Sequence, residues 1–295
     1  MKRRALLALA ATSCFLPALP AAPAARERFG QGLLWRVARK GAAPSHVYGT
    51  IHVADARIAE LPEPARRAFD GARSLMLEFL PDAYSNERFV EASMFIDQRS
   101  LEGLIGSADF ERALEQLAPI GLSREFVNKL KPWGVLLNLR APRGGQGAAL
   151  DARLAELARA RRLPLAQLEG VEELIFTFDE MPLESQVALL RHALAHRDEL
   201  LALAEGTLQA YLARDLAAIW RLREAYTARY PEVASHQAAM LKRVVHDRSV
   251  VMAFRMQREL RRGQAFVALG ALHLYGEKGV LALLEEDGYR ATRVY

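Results

Sequence analysis

Two stretches of sequence decide the fold: His46-Val47-Tyr48-Gly49-Thr50-Ile51-His52 and Phe266-Val267-Ala268-Leu269-Gly270-Ala271-Leu272-His273. Both are dominated by β-branched, aromatic and other apolar residues, which predicts buried strands over 46–52 and 265–273. Both end in histidine, with a glycine three residues earlier. Because glycine lets another part of the chain approach its backbone closely, each GxxH motif is typical of a crowded pocket.

The residues that follow each stretch repeat the same order of features. A helical pattern comes first, then an Asp-Gly pair typical of a helix C-terminus, and then a short strand. The predicted helices span 62–69 and 279–286, and the strands after them span 74–78 and 289–294. We therefore expect two βαβ units, with the strand that ends at Glu78 beside the strand of His52.

The rest of the chain has a mostly helical pattern. Apolar residues recur at helical spacing over about 81–160 and 171–262. Two more strands are expected, an edge strand over 33–38 and a core strand over 163–169. The sequence thus predicts an α/β fold in which residues 25–295 form a single domain. Its central sheet consists of N- and C-terminal βαβ pieces, with a large helical insertion between them.

Four polar residues stand at the predicted ends of four strands: His52, Glu78, Glu169 and His273. Because parallel sheets bind ligands at the carboxyl ends of their strands, we expect these side chains to converge. Two imidazoles with one or two carboxylates suit Zn²⁺, Mn²⁺ or Co²⁺ and leave a position for water. We assign His52, His273 and Glu78 as metal ligands, and Glu78 or Glu169 as the base that deprotonates the water. The competing interpretation makes both histidines core residues that bond to nearby backbone.

Other motifs give weaker indications of a site. His192 and His196 lie one helical turn apart, a spacing that chelates metals, but the glutamate of H-E-x-x-H is absent and the helix around them is charged. The chain has no G-x-S-x-G elbow of a serine hydrolase. The glycine-rich residues 144–147 are not followed by the Lys-Ser/Thr pair of a phosphate-binding loop.

Composition and the N-terminal residues limit the classes of protein to which this chain can belong. Of 295 residues, 51% are hydrophobic and 25% are charged, which is typical of a soluble globular chain. Residues 1–24 are predicted to be a signal peptide, because a basic start, a short apolar core and small residues follow one another. The apolar core is too short for a membrane helix, so export to the periplasm or beyond is expected, with a lipid on Cys14 as a minor alternative.

Removal of this leader changes what the charge implies. The leader carries three cations and no acid, so the net charge falls from +5 to +2. No basic patch elsewhere indicates a nucleic-acid partner. Cys14 is the only cysteine, so the mature chain has neither a disulfide nor a thiolate metal site. The oligomeric state is not predicted.

The motifs quoted above resemble the TraB/GumN family, which is related to the animal Tiki proteins. The similarity runs in order through residues 34–35, 47–52, 61–62, 77–78, 131–133, 150–151, 168–169, 186, 266–280, 284 and 288–289. It implies a fold shared with erythromycin-esterase-like and ChaN-like proteins, and an active centre at His52, His273 and Glu78. The family usually has Arg-Asn where this chain has Arg248-Ser249. The resemblance therefore implies that Arg248 orients a carboxylate or an oxyanion, and it gives no role to Ser249.

Three functions remain as hypotheses from different classes. The resemblance favours a metal-dependent hydrolase of peptides or proteins, since the Tiki branch is described as Mn²⁺- or Co²⁺-dependent. A non-catalytic protein that binds iron, haem or another ligand is the second hypothesis, which the ChaN-like resemblance allows. The third is a metal-free, esterase-like hydrolase in which His52 itself is the base.

Overall fold

A six-stranded sheet lies at the centre of the computed structural model, which describes residues 28–53, 55–80, 82–140 and 150–295. The strands are β1 (Leu34–Ala38), β2 (Ser45–Thr50), β3 (Ser74–Leu77), β4 (Leu165–Gln167), β5 (Ala265–Gly270) and β6 (Arg290–Arg293). Their order across the sheet is β4-β3-β5-β2-β1-β6. β4, β3, β5 and β2 pair in parallel, whereas β1 is antiparallel to both of its neighbours. The fold class is thus mixed α/β. The predicted signal peptide, Cys14 and the glycines at 144–147 lie outside the described residues.

The two predicted βαβ connections are present, but their strands are not neighbours in the sheet. Helix α1 (Glu63–Asp70) joins β2 to β3, and α14 (Val280–Glu286) joins β5 to β6. The expectation that β3 lies beside β2 is wrong, because β5 separates them. All six residues of β5 are buried, so it occupies a central position that is covered on both faces.

Two strands lie at other positions in the sheet than the sequence predicts. β1 was predicted at an edge but lies inside the sheet, since β6 from the C-terminal end of the chain covers it. The predicted core strand over 163–169 is the three-residue edge strand β4, whose side chains are partly exposed. Both differences arise from pairing between distant segments, which a local pattern does not contain.

Helices form most of the remaining described chain. Between β3 and β4 lie α2 (Ala83–Ala92), α3 (Leu101–Ile105), α4 (Ser107–Leu117), α5 (Arg124–Lys129), α6 (Pro132–Arg140) and α7 (Leu150–Ala160). Between β4 and β5 lie α8 (Val171–Asp179), α9 (Leu183–Ala195), α10 (Arg197–Leu212), α11 (Leu216–Arg229), α12 (Ala234–Leu241) and α13 (Arg248–Arg262). Asp82, Ser100, Ser123 and Asp215 cap the N-termini of α2, α3, α5 and α11 by accepting backbone N–H bonds.

Buried apolar residues form two clusters. One packs around the sheet and includes Leu75 and Phe266. The other lies wholly among helices and includes Phe110, Trp133 and Leu190. A π-helical turn, Lys242–Asp247, connects α12 to α13 immediately before Arg248, and such turns often accompany functional sites. Within the described residues, no helix has both the length and the apolar character that crossing a membrane requires.

Candidate functional site

The four strand-end residues predicted from sequence lie at one edge of the sheet. β2, β3, β4 and β5 end at Thr50, Leu77, Gln167 and Gly270, and the polar residues follow one to three positions later: His52, Glu78, Glu169 and His273. The strands are therefore shorter than predicted. After β5 the chain leaves the sheet in a 3₁₀ turn, Ala271–His273, which turns His273 toward Glu78.

Glu78 lies at the centre of this group. Its Oε2 atom is 3.5 Å from Nε2 of His52, and its Oε1 atom is 3.9 Å from Nε2 of His273. Oε2 also accepts the backbone N–H of Gly270 at 2.9 Å. Because Glu78 is only 6% exposed, these neighbours set its charge state.

Arg248 joins the two glutamates in a buried ion-pair network. Its Nη2 donates to Glu78 Oε1 and, at 2.6 Å, to Glu169 Oε2, while its Nε donates to the same Glu169 oxygen at 2.8 Å. Its Nη1 donates to the carbonyl of Val244 at 3.2 Å. Arg248 is 8% exposed. Composition alone would place it on the surface among neighbouring arginines, so its burial is a tertiary effect.

Two residues with no role predicted from the sequence fix the imidazole rings. Asp151 Oδ2 lies 2.9 Å from Nδ1 of His52, and its other oxygen accepts the hydroxyl of Thr50 at 2.9 Å. On the other ring, Ser249 donates its only hydroxyl proton to the carbonyl of Val245, 2.7 Å away. Its oxygen therefore accepts the Nδ1–H of His273 at 2.9 Å. Nε2 of His273 then carries a lone pair that faces Glu78.

Local sequence patterns contain little signal for either of these partners. Asp151 stands in the first turn of α7, where acids are common because they interact favourably with the helix dipole. Ser249 occupies the position where the resemblance leads one to expect asparagine. Its contact with His273 shows that this position supplies an oxygen acceptor to the ring.

The comparisons with known proteins bear on this whole region. A sequence profile of the TraB/PrgY/gumN family matches residues 33–293, a span that contains every site residue named above. The chain belongs to this family. Among curated proteins, it is 23% identical over 245 residues to the uncharacterized protein YbaP of Shigella flexneri. It is 22% identical over 244 residues to YbaP of Escherichia coli K12. Each match covers 81% of this chain and 87% of the relative. No solved structure gives a significant match.

The glycines of this TraB-family chain make the close approach that the GxxH motifs predict. A Cβ atom on Gly270 would lie 3.3 Å from Glu78 Oε2, 3.3 Å from the His273 ring and 3.5 Å from His52 Nε2. A Cβ atom on Gly49 would lie 2.7 Å from the side chain of Leu274. Gly270 therefore leaves room for three polar side chains around one backbone N–H, and Gly49 leaves room for the turn that carries His273.

The two glutamates differ in their pKa. Burial alone would raise the pKa of Glu78, but His273, His52 and Arg248 together hold it well below its usual range. Glu169 is different, because burial raises its pKa and the bonds from Arg248 only partly offset that effect. Environments that separate the pKa values of two neighbouring acids are typical of sites where one remains ionised and the other exchanges a proton.

The two histidines of the site differ in the same way. Burial lowers the pKa of His273 to about 4, with a further contribution from Arg248, so this ring is neutral at neutral pH. Partial desolvation opposes the charged form of His52, whose side chain is 55% exposed, but Asp151 and Glu78 outweigh this effect and raise the pKa of the ring well above the usual value. His273 therefore presents a free lone pair, and His52 holds a proton between two carboxylates.

The second histidine pair has aromatic and carboxylate neighbours. The rings of His192 and His196 lie 4.7 Å apart, and both pack against Tyr230. Nε2 of His192 is 2.8 Å from the hydroxyl of Tyr226. Nδ1 of His196 lies 3.5 Å from Glu199. Among the described residues, no group of three or more His, Cys, Asp or Glu side chains is already arranged to hold a metal ion.

Proposed function

We propose that the protein is an exported metal-dependent hydrolase that cleaves peptide bonds, with His52, His273 and Glu78 as the metal ligands. One observation carries the proposal: Nε2 atoms of two histidines face the same buried carboxylate, while Asp151 and Ser249 bind their Nδ1 atoms. Metal-binding histidines usually have such a second partner, which fixes the tautomer and orients the ring.

The charge of the site supports a divalent cation. The site contains three carboxylates, those of Glu78, Glu169 and Asp151. Arg248 pairs with the two glutamates, and Asp151 pairs with His52. Imidazole nitrogen and carboxylate oxygen are the donors that Mn²⁺, Co²⁺ and Zn²⁺ share. Each Glu78 oxygen also keeps a second lone pair beyond its bond to Arg248 or Gly270. The donor chemistry therefore fits such an ion.

Glu78, Glu169 and Arg248 have different roles in the proposed reaction. A bound metal ion would act as a Lewis acid and lower the pKa of a bound water. Glu78 stays ionised because its pKa is low, which suits a ligand. Glu169, with its raised pKa, is the better proton acceptor. Arg248 holds both carboxylates through one nitrogen, so its role is to position them rather than to touch the substrate.

Elemental analysis of the untagged protein tests this proposal. We expect about one equivalent of Mn, Co or Zn in the wild type, and loss of that metal in His52→Ala and in His273→Ala. A double variant, His192→Ala with His196→Ala, is the matched control and should keep the metal. Cleavage of a peptide library should stop when a chelator is added. Equal loss of metal in the control, or cleavage that resists the chelator, contradicts the proposal.

A second candidate rests on the contact between Asp151 and His52. A histidine whose Nδ1–H binds a carboxylate is also the arrangement of a metal-free general base, whose Nε2 accepts a proton when the ring is neutral. Because Asp151 and Glu78 raise the pKa of His52, turnover by this route should increase toward alkaline pH. The His52 side chain is 55% exposed and thus accessible to a substrate. Turnover that persists with a chelator but disappears in both His52→Gln and Asp151→Asn would favour this function.

A further inference from the structure

A cavity of about 710 Å³ lies among helices α9 to α12. This volume is in the range of sites that bind small molecules or short chain ends. Ile51 and Val53, on either side of His52, form part of its wall, and so does His246, two residues before Arg248. The cavity therefore reaches the loop that carries the proposed metal site. Most of the wall is apolar and includes Leu189, Leu200, Leu203, Met240 and Leu241.

Two N–H donors that α11 contributes to this wall have no hydrogen-bond partner among the described residues. They are Nε of Arg223 and Nε1 of Trp220, both buried. The two residues lie three positions apart on α11, so they share one face of the helix. Arg223 also has no carboxylate partner within the described chain, and burial lowers its pKa. A guanidinium that is partly buried at its Nε and has no counter-ion is unfavourable, which favours an anionic ligand beside it.

The cavity also contains an acceptor without a donor. Oε1 of Gln237 is buried and has no hydrogen-bond partner among the described residues. The wall thus offers donors for a carboxylate, an acceptor for an N–H group and apolar surface for side chains. The last residues of a peptide carry all three groups, whereas a fatty acid lacks the N–H.

We propose that this cavity binds the apolar C-terminal residues of a peptide, with the free carboxylate at Arg223 and Trp220 and the last amide N–H at Gln237. The assignment deepens the proposed function by naming its substrate end, and it rests on that function only for the cleavage that follows binding. Cleavage would then occur near the C-terminus, because the cavity ends at the loop of His52.

Calorimetric binding of acetyl-trileucine to the full chain, with chelator present, tests the assignment without any catalysis. We expect the free acid to bind about 10- to 100-fold more tightly than its C-terminal amide, as the loss of a hydrogen bond to a charged group predicts. Arg223→Gln should remove this difference. The matched control is Arg221→Gln, the same change on the same helix at an exposed position outside the cavity, and it should preserve the difference.

Binding of decanoate, a fatty acid, tests whether the cavity prefers a peptide end to a fatty acid. Decanoate should bind more weakly than the peptide acid. Arg223→Gln should keep its melting temperature or raise it, since it removes a partly buried charge that has no carboxylate partner within the described chain. If the Arg223→Gln variant does not fold, Trp220→Phe is the alternative, because it removes the neighbouring N–H. This change should weaken binding of the peptide acid several-fold relative to binding of the amide.

Several results would overturn the assignment: no binding of the peptide acid, equal binding of acid and amide, equal binding of decanoate, or unchanged selectivity in the folded Arg223→Gln and Trp220→Phe variants. Because no metal is present, failure of the metal-hydrolase proposal would leave these results unaffected.

Discussion

Replacement of Ser249 by alanine tests whether the partner of an imidazole ring controls the metal site. Ser249 is 0% exposed, and its oxygen accepts the Nδ1–H of His273 at 2.9 Å. Alanine removes this acceptor and leaves the backbone of Val245 as the remaining hydrogen-bond contact of this buried ring. The ring is then free to carry its proton on Nε2 instead, where it would donate toward Glu78 and block the lone pair that binds metal.

The size of the effect follows from these contacts. Removal of the acceptor of a buried donor costs about 1–3 kcal/mol of folding free energy. Loss of the partner of a metal-binding histidine lowers metal affinity by about 10- to 100-fold, which corresponds to about 1.4–2.8 kcal/mol. We therefore expect Ser249→Ala to fold, to melt at a lower temperature and to lose at least about tenfold in metal affinity.

Competition with a chromogenic chelator measures the affinity, and urea unfolding measures the stability. The matched control is Ser185→Ala, because Ser185 is also buried and its oxygen lies 3.0 Å from Nδ1 of His236. That variant should lose stability and keep the metal affinity of the wild type. If Ser249→Ala binds metal within twofold of the wild type, or if Ser185→Ala loses as much affinity, the role given to Ser249 is wrong.

Three other predictions follow from the same structure. Glu78→Gln should lose the metal together with turnover. Glu169→Gln should keep the metal but lose about 10²–10⁴-fold in turnover, because it removes the proton acceptor. Metal content and turnover equal to those of the wild type in Glu78→Gln would exclude both roles for that residue. In the metal-free protein, unfolded His273 takes up a proton near pH 6.5 but the folded ring only near pH 4, so His273 should make stability fall by about 3 kcal/mol as pH drops through this window. Urea unfolding of His273→Gln should lack that fall, and identical pH curves for the two proteins would contradict the assignment. Mass spectrometry of the exported protein should find an N-terminus near Ala25, and a retained Met1 or a lipid on Cys14 would contradict the predicted signal peptide.

Local sequence was enough to place the residues at the sheet edge. The apolar runs before His52, Glu78 and His273 predict strands, and parallel strands bring their carboxyl ends together whatever their order in the sheet. This is why the convergence of these side chains survives the wrong expectation that β3 lies beside β2. The GxxH motifs were also informative, because a glycine at this position indicates that another part of the chain lies close to its backbone. The motif does not indicate which part of the chain that is.

The order of the strands was outside the reach of local patterns. The interior place of β1 depends on pairing with β6, which is more than 250 residues away in the chain. β4 lies at the edge because, among the described strands, it pairs with β3 alone. Neither position in the sheet can be recognised from the pattern of polar and apolar residues in the strand itself.

The sequence by itself thus determined the family and the α/β class, and it predicted that His52, Glu78, Glu169 and His273 meet at one edge of the sheet, because each of these inferences depends on residues adjacent in the chain. Only the tertiary structure decided which partners set the charge and tautomer of these groups. Asp151 meets His52 from 99 positions away, and Arg248 meets Glu78 from 170. The physical reason is that burial and electrostatic pairing depend on distance in space, which a one-dimensional pattern of polar and apolar residues does not record.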